Sequence, residues 1–405
     1  MFEKKIGSGK SNSMFEKKIG SRKSRVWIPD EIIVSILGKV PDKSLMRFKC
    51  VSKSWCSMIS DAKLMTNTQK IFLQSSRSMY IAEYNQYEVN AKNVQSGPVM
   101  NTKKHFEVYG SCHGLLLIKV INNSSLFIWN SVTGESTEVP TLISNIFFHY
   151  LGFGYSHLIN DYKIVRLENY RQGNIYSIRT DSWRTTFDKI PYPKTHLCYE
   201  KKGAATLANN GLFWKAVYEG MNLYTQDGGC VVLEYYDDNK TTHNGHEVIF
   251  RLDMVYETQK LIVPPLGIKS EYEYEMMEFK GCLCVIQNQN QNQNGMCIEM
   301  WLLKEEYIVL NWIKLMTIPH LESLPSTKSL APIYFSKNGE VLLNCRKKMT
   351  KNVRGRWSSR KAPRTRTFYS YNPIGMTFKK VKVRGIKYWT NEIAYGENLV
   401  EASLM

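Results

Sequence analysis

A chain of 405 residues with 54 Lys and Arg against 36 Asp and Glu carries a formal net charge of +18. That length allows one small and one large domain, and no run of roughly eighteen apolar residues crosses a membrane as a helix. Nine scattered cysteines, an odd number without a disulfide-like framework, fit a reducing cytoplasmic or nuclear compartment.

The charge is unevenly placed. Residues 1–25 contribute +6 and residues 345–368 contribute +10, so the rest of the chain holds only +2. The body is nearly neutral, and the basic segments read as a solvated tail and a loop rather than a folded basic face. The tail has a visible origin, because MFEKKIGS at residues 1–8 recurs at 14–21. Residues 1–25 are expected to be a disordered basic tail.

Next come two proline-punctuated amphipathic helices within residues 26–70. Pro29 suits a first helical turn, and Asp30 and Glu31 complement the dipole there. Ile32, Ile33, Ile36, Leu37 and Val40 draw a broad apolar stripe. Pro41 ends that helix, Asp42 is placed to cap the next, and Leu45, Phe48, Val51 and Trp55 follow at three- and four-residue steps. So short a segment cannot bury its own apolar surface and needs a partner or the rest of the chain.

The segment resembles the F-box. The likeness rests on Ile28-Pro29-Asp30-Glu31-Ile32, Ile36-Leu37, Val40-Pro41, Lys43-Ser44-Leu45 and Phe48-Lys49-Cys50-Val51-Ser52-Lys53-Ser54-Trp55. An F-box implies docking onto a Skp-type adaptor and, through it, a cullin-based ubiquitin ligase. Carried over by position, Pro29, Ile32, Ile36, Leu37, Pro41, Leu45, Val51 and Trp55 are expected to build the adaptor face and the small core beneath it.

Residues 71–105 are mixed in character and read as a connector with a first strand or two. From Phe106 to about residue 402 the period changes to short β-rich runs between Gly, Asn, Asp and Pro. The runs repeat loosely. Units open at Gly114, Tyr162, Gly211, Gly281 and Gly339, and the last closes with Val381-Lys382-Val383. Such units must stack around a common core. The expected fold is thus α+β overall: a small all-α N-terminal module, then a large all-β domain that is irregular and β-propeller-like, with a large β-sandwich as the alternative.

A second resemblance lies in Gly110-Ser111-Cys112-His113-Gly114, Ile128-Trp129-Asn130, Gly152-Phe153-Gly154-Tyr155, Asn160-Asp161-Tyr162-Lys163-Ile164-Val165-Arg166 and Thr180-Asp181-Ser182-Trp183-Arg184. These blocks, with Met300-Trp301-Leu302-Leu303-Lys304-Glu305 and Glu397-Asn398-Leu399-Val400, are similar to the F-box-associated domain of plant F-box proteins. The S-locus F-box group shares the layout.

Three local signals have bland readings. Gly110-Ser111-Cys112-His113-Gly114 fits a nucleophile-elbow pattern, but an elbow opens a helix and Leu115 to Val120 reads as a strand. The Gln/Asn tract, within 287–295, is expected to lengthen a hairpin loop. The insertion 345–367 is expected to be a solvated loop. Trp129, Trp183, Trp301 and Trp312 read as core rather than ligand contacts. Cys282-Leu283-Cys284 has the wrong spacing for a zinc knuckle, no metal site is completed, and no cofactor or catalytic residue is expected. Together the resemblances imply a non-catalytic ligase subunit that presents a target protein on its β domain. A nucleic-acid-binding role for the two basic segments is the alternative from another class.

Overall fold

The computed structural model describes residues 28–37, 40, 44, 47–48, 50–60, 69–75, 78–85, 88–94, 105–121, 125–131, 133–140, 150–168, 172–187, 195–197, 203–218, 246–265, 274–291, 295–306, 309–319, 327–336, 339–347, 366–389 and 391–396. Two helices come first, α1 (Asp30–Leu37) and α2 (Lys53–Ser60). The Pro29 carbonyl accepts from the N–H groups of Ile32 and Ile33, which winds the first turn of α1. Ser52 caps α2, its hydroxyl accepting from the Trp55 N–H at 3.1 Å.

Strands occupy most of the remainder. The first sheet opens with β1 (Gln69–Ser75), β2 (Ser78–Asn85) and β3 (Glu88–Asn93). The second is β4 (Phe106–Cys112), β5 (Leu115–Val120), β6 (Leu126–Asn130) and β7 (Ser136–Val139). The third holds β8 (Tyr150–Ser156), β9 (Asp161–Glu168), β10 (Gln172–Ser177) and β11 (Ser182–Phe187). In the fourth, β12 (Thr195–Leu197) and β13 (Thr206–Ala208) lie end to end along β14 (Gly211–Tyr218), followed by β15 (His246–Asp253) and β16 (Gln259–Ile262). The fifth is β17 (Tyr274–Phe279), β18 (Cys282–Gln291), β19 (Gly295–Glu306) and β20 (Val309–Ile318). The sixth is β21 (Thr327–Phe335), β22 (Val341–Lys347), β23 (Arg366–Asn372) and β24 (Thr377–Lys380). Finally β25 (Lys382–Arg384) and β26 (Asn391–Gly396) return to the first sheet.

That return closes a ring. β26 pairs antiparallel with β1, with Ile71 opposite Ala394 and Phe72 opposite Ile393, so the innermost strand of the first blade comes from the far end of the chain. The core confirms the ring, because it is divided by seam. One apolar cluster joins blades 1 and 2 through Phe72, Phe106 and Trp129, and another joins blades 2 and 3 through Leu117, Phe153 and Tyr176. Trp214 and Phe250 of blade 4 meet Val165 of blade 3, and Phe213 meets Leu283 of blade 5. Leu343 and Tyr371 of blade 6 meet Ile298 of blade 5, and Phe368 with Trp389 meets Leu73 of blade 1. Each blade is covered on both faces, which is why central strands such as β5, LLLIKV, are apolar in succession rather than alternating.

The turns follow one rule. In blades 2, 4 and 5 the first two strands meet through two residues of positive φ: His113-Gly114, Asn209-Asn210 and Lys280-Gly281. This left-handed pair matches the twist of the strands it joins. In blades 2, 3, 4 and 6 the third and fourth strands meet through four or five residues. The fourth is left-handed (Gly134, Asp181, Glu257 or Met376), and the residue before the turn (Asn130, Ser177, Asp253 or Asn372) accepts from the turn's own N–H groups.

The described chain is nearly all β after a small helical N-terminal segment, as expected, and the propeller-like reading holds: six sheets in a ring rule out the sandwich alternative. Several other expectations are corrected. Residues 71–105, read as a connector, hold most of β1 with all of β2 and β3. Val381-Lys382-Val383 does not close the sixth unit: β24 does, and β25 pairs instead with β3 of blade 1. The Gln/Asn tract is mostly strand, not loop. Gln287 to Gln291 pair with Glu299 to Gly295, leaving only 292–294 between β18 and β19. The backbone ladder does not depend on side-chain type, and one of the polar side chains bonds across a seam. The Asn288 carboxamide oxygen accepts from the Leu330 N–H of blade 6 at 3.1 Å. Residues 345–347 and 366–367, assigned to the insertion, belong to β22 and β23; 348–365 lie outside the described residues.

Candidate functional site

The helical pair sorts its apolar residues into two sets. Leu37 (1% exposed) and Ile59 are buried, with Ile33, Val34, Val40, Phe48, Trp55 and Met58 packed around them. Phe48 and Trp55 meet edge to face with ring centroids 5.9 Å apart. The other set is bare. Ile28, just before α1, and Ile32 and Ile36 within it, spaced four residues apart, are 48%, 51% and 54% exposed, and Val51 is 59% exposed. Pro29 is exposed beside them. Two of these four open aliphatic side chains, Ile32 and Ile36, lie on α1, the helix that also buries Leu37 in the core. Of the eight residues expected at the face, Pro29, Ile32, Ile36 and Val51 are open, Leu37 and Trp55 form the support, and Pro41 and Leu45 lie outside the described residues.

The elbow-like motif has a different use. Cys112 ends β4 and His113-Gly114 is the left-handed turn into β5, where Cys112 faces Leu115. Burial among apolar side chains pushes the Cys112 thiol far above its ordinary range, so it is held protonated. The His113 Nδ1 lies 3.2 Å from the Tyr162 hydroxyl, and the two rings meet edge to face.

Polar residues of the propeller are spent on seams. Lys163, nearly fully buried in blade 3, donates to the Glu257 carboxylate at 2.8 Å and to the Met254 carbonyl at 3.0 Å, both in blade 4. Arg184 and Thr186 donate to the same carboxylate. Arg251 of blade 4 meets Glu305 of blade 5 at 3.1 Å, and Asn344 of blade 6 donates to Glu392 of β26 at 2.7 Å. Sequence reasoning missed these pairs, since their partners stand 48 to 94 residues apart and no local pattern joins them. Lys163 gave one available signal, being a charged position within the otherwise apolar run from Tyr162 to Val165.

Such a molecule is a closed six-bladed β-propeller preceded by a helical segment with open apolar side chains. The comparisons identify the family. A model described as the F-box domain matches residues 27–67, and one described as the F-box associated beta propeller domain matches residues 62–401. The chain therefore belongs to the F-box proteins that carry an F-box-associated β-propeller. It is 26% identical over 349 residues to an F-box/kelch-repeat protein of Arabidopsis thaliana, covering 79% of this chain and 85% of the relative. It is 22% identical over 354 residues to the Arabidopsis thaliana F-box protein CPR1, covering 78% and 79%.

Proposed function

We propose that this protein is the substrate receptor of an SCF-type ubiquitin ligase, holding a Skp-type adaptor with its helical pair and a target protein with its propeller. The observation that carries this reading is the set of bare side chains Ile28, Ile32 and Ile36, before and along a helix whose Leu37 is already packed in a core. Pro29, Ile32, Ile36 and Val51 make the adaptor contact, Leu37 and Trp55 hold the helices that present it, and Pro41 and Leu45 are assigned to the same face from sequence. Each aliphatic anchor contributes about 1.5–3 kcal/mol of burial before association costs are subtracted. The protein itself breaks no bond. It joins target to ligase, so that ubiquitin transfer follows from effective concentration in the cytoplasm or nucleus.

Co-purification of the full chain with a Skp-type adaptor tests this. Ile32→Asp with Ile36→Asp, both at open positions, should abolish adaptor capture while the propeller keeps its thermal transition. Undiminished capture by that variant would remove the assignment.

A further inference from the structure

The seam where the ring closes is built differently from the others. After β24, the outer strand of blade 6, the chain runs through buried Val381 directly into β25, which lies parallel to β3 on the outer edge of blade 1. Residues 385–389 then cross inward to β26. This strap is pinned along its length. The Val381 N–H donates to the Phe368 carbonyl at 2.9 Å, and Trp389 lies on the Phe368 ring with centroids 4.8 Å apart. Gly385 has a left-handed φ of 81° and lies so close to the Ala91 carbonyl that any Cβ would overlap it.

Under the strap is a hollow of about 670 Å³, lined among others by Arg366, Lys380, Lys382, Ile386, Lys387 and Trp389. Its cations outnumber its anions. Glu88 is engaged by Arg384 at 2.6 Å, and Glu392 is engaged by Arg366 and Asn344. Lys380, Lys382 and Lys387 are exposed, and Lys382 is close enough to Glu88 to help lower its carboxyl pKa. Charged side chains on outer strands guard sheet edges against pairing, which accounts for Lys380 and Lys382 singly. It does not account for Lys387, which belongs to no strand, nor for the convergence of two edges and a crossover on one concavity. A concave site lined by one sign of charge focuses its field on whatever enters, and a pinned strap spares the ordering cost of binding.

We infer that this hollow takes a short acidic segment of a protein, with carboxylates seated among Lys380, Lys382 and Lys387 and its chain lying over Ile386. The inference rests on the propeller being the target-binding part of a ligase receptor, and it names the chemistry of what is bound. A peptide fits better than a nucleic acid. Trp389 in its lining is only 4% exposed and offers no open face for a base to stack on.

The test uses the full chain co-purified with a Skp-type adaptor and a fluorescein-labelled octapeptide of alternating Glu and Gly, read by anisotropy. Its Gln counterpart and a single-stranded oligonucleotide of equal charge serve as comparisons. The Glu peptide should bind and the Gln peptide should not. Lys380→Gln with Lys382→Gln and Lys387→Gln should weaken binding about tenfold or more, while Lys260→Gln, an exposed lysine of blade 4, leaves it unchanged. Lys387→Glu alone, on the crossover surface, should weaken it in the same direction and guards against a folding defect in the triple variant. Wild-type affinity in both variants overturns the inference, as does tighter binding of the oligonucleotide at equal ionic strength. Adaptor retention is scored in the same preparations. Peptide binding without adaptor removes the ligase reading alone, and adaptor without peptide binding removes the hollow alone.

Discussion

The indole N–H of Trp312 on the outer strand of blade 5 donates to the carbonyl of Val263, just past the outer strand of blade 4, at 2.8 Å. Two blades earlier Trp183 does the same to Pro140, just past the outer strand of blade 2, at 2.7 Å. Both acceptors sit in the Val-Pro dipeptides that end the preceding blade, so one device bolts two seams. The Trp312 bond is partly buried and the Trp183 bond is exposed. Trp312→Phe keeps the ring and removes the donor, leaving a half-buried carbonyl unpaired at a cost of about 1–2 kcal/mol. Trp183→Phe should cost less, because water can replace its donor. Thermal midpoints of the two variants check this, and a larger loss for Trp183→Phe would contradict it.

Gly152 in β8 explains part of the Gly-Phe-Gly signature by space. A Cβ there would stand 2.6 Å from Leu212 Cδ1 and 2.9 Å from Trp214 Cζ2 of the neighbouring blade. Gly152→Ala should therefore overpack the seam between blades 3 and 4 and destabilise by about 1–3 kcal/mol. Because Trp214 must shift, its fluorescence should change with the midpoint. A variant as stable as the parent, with unaltered emission, would mean that the seam yields freely.

How much of this was legible in the sequence follows from the same seams. The second, third and fourth strands of blades 2 to 5, and the second and third of blade 6, announce themselves as apolar or aromatic runs between turn residues, and the units opening at Gly114, Tyr162, Gly211, Gly281 and Gly339 coincide with them. Two innermost strands do not: Thr206–Ala208 is only three residues long, and Tyr274–Phe279 carries Glu275 and Glu278 among its apolar residues. Blade 1 was hidden for a different reason. The innermost partner of its N-terminal strands, β26, stands some three hundred residues away, so no local period exposes the blade. Trp129 is fully buried as expected of a core residue, whereas Trp183 and Trp312 also bond across seams, a role composition cannot reveal. At the helical face the residue set was readable, but its division into open and supporting members was not. Ile36 and Leu37 are equivalent apolar neighbours until packing separates them.

That division has its own consequence. Leu37→Ala removes a fully buried side chain from a core of few members, and such truncations cost about 2–5 kcal/mol. The helical pair should lose protection from amide exchange while the propeller strands retain theirs. Ile36→Ala, at a position 54% exposed, should leave exchange unchanged and weaken adaptor capture only. Equal exchange effects for the two variants would erase the distinction between support and contact.

Acid should loosen the seam between blades 3 and 4 first. Burial opposes ionisation of Glu257, but hydrogen bonds from Arg184 and Lys163 outweigh it and hold the carboxyl below its usual 4.5. A carboxyl whose folded pKa is depressed contributes stability that is complete above the unfolded value and is lost as pH falls through the folded one. The seam is therefore intact at neutral pH and weakens below about 4.5. Glu257→Gln leaves Lys163 buried beside a neutral amide, a loss of about 3–5 kcal/mol where a buried pair is broken. Parent and variant should differ most at pH 7 and converge as pH falls from 5 to 3, since protonation makes the parent resemble the variant. Thermal midpoints across that range decide the matter, and a gap that stays constant would show that Glu257 holds the seam by shape rather than by charge.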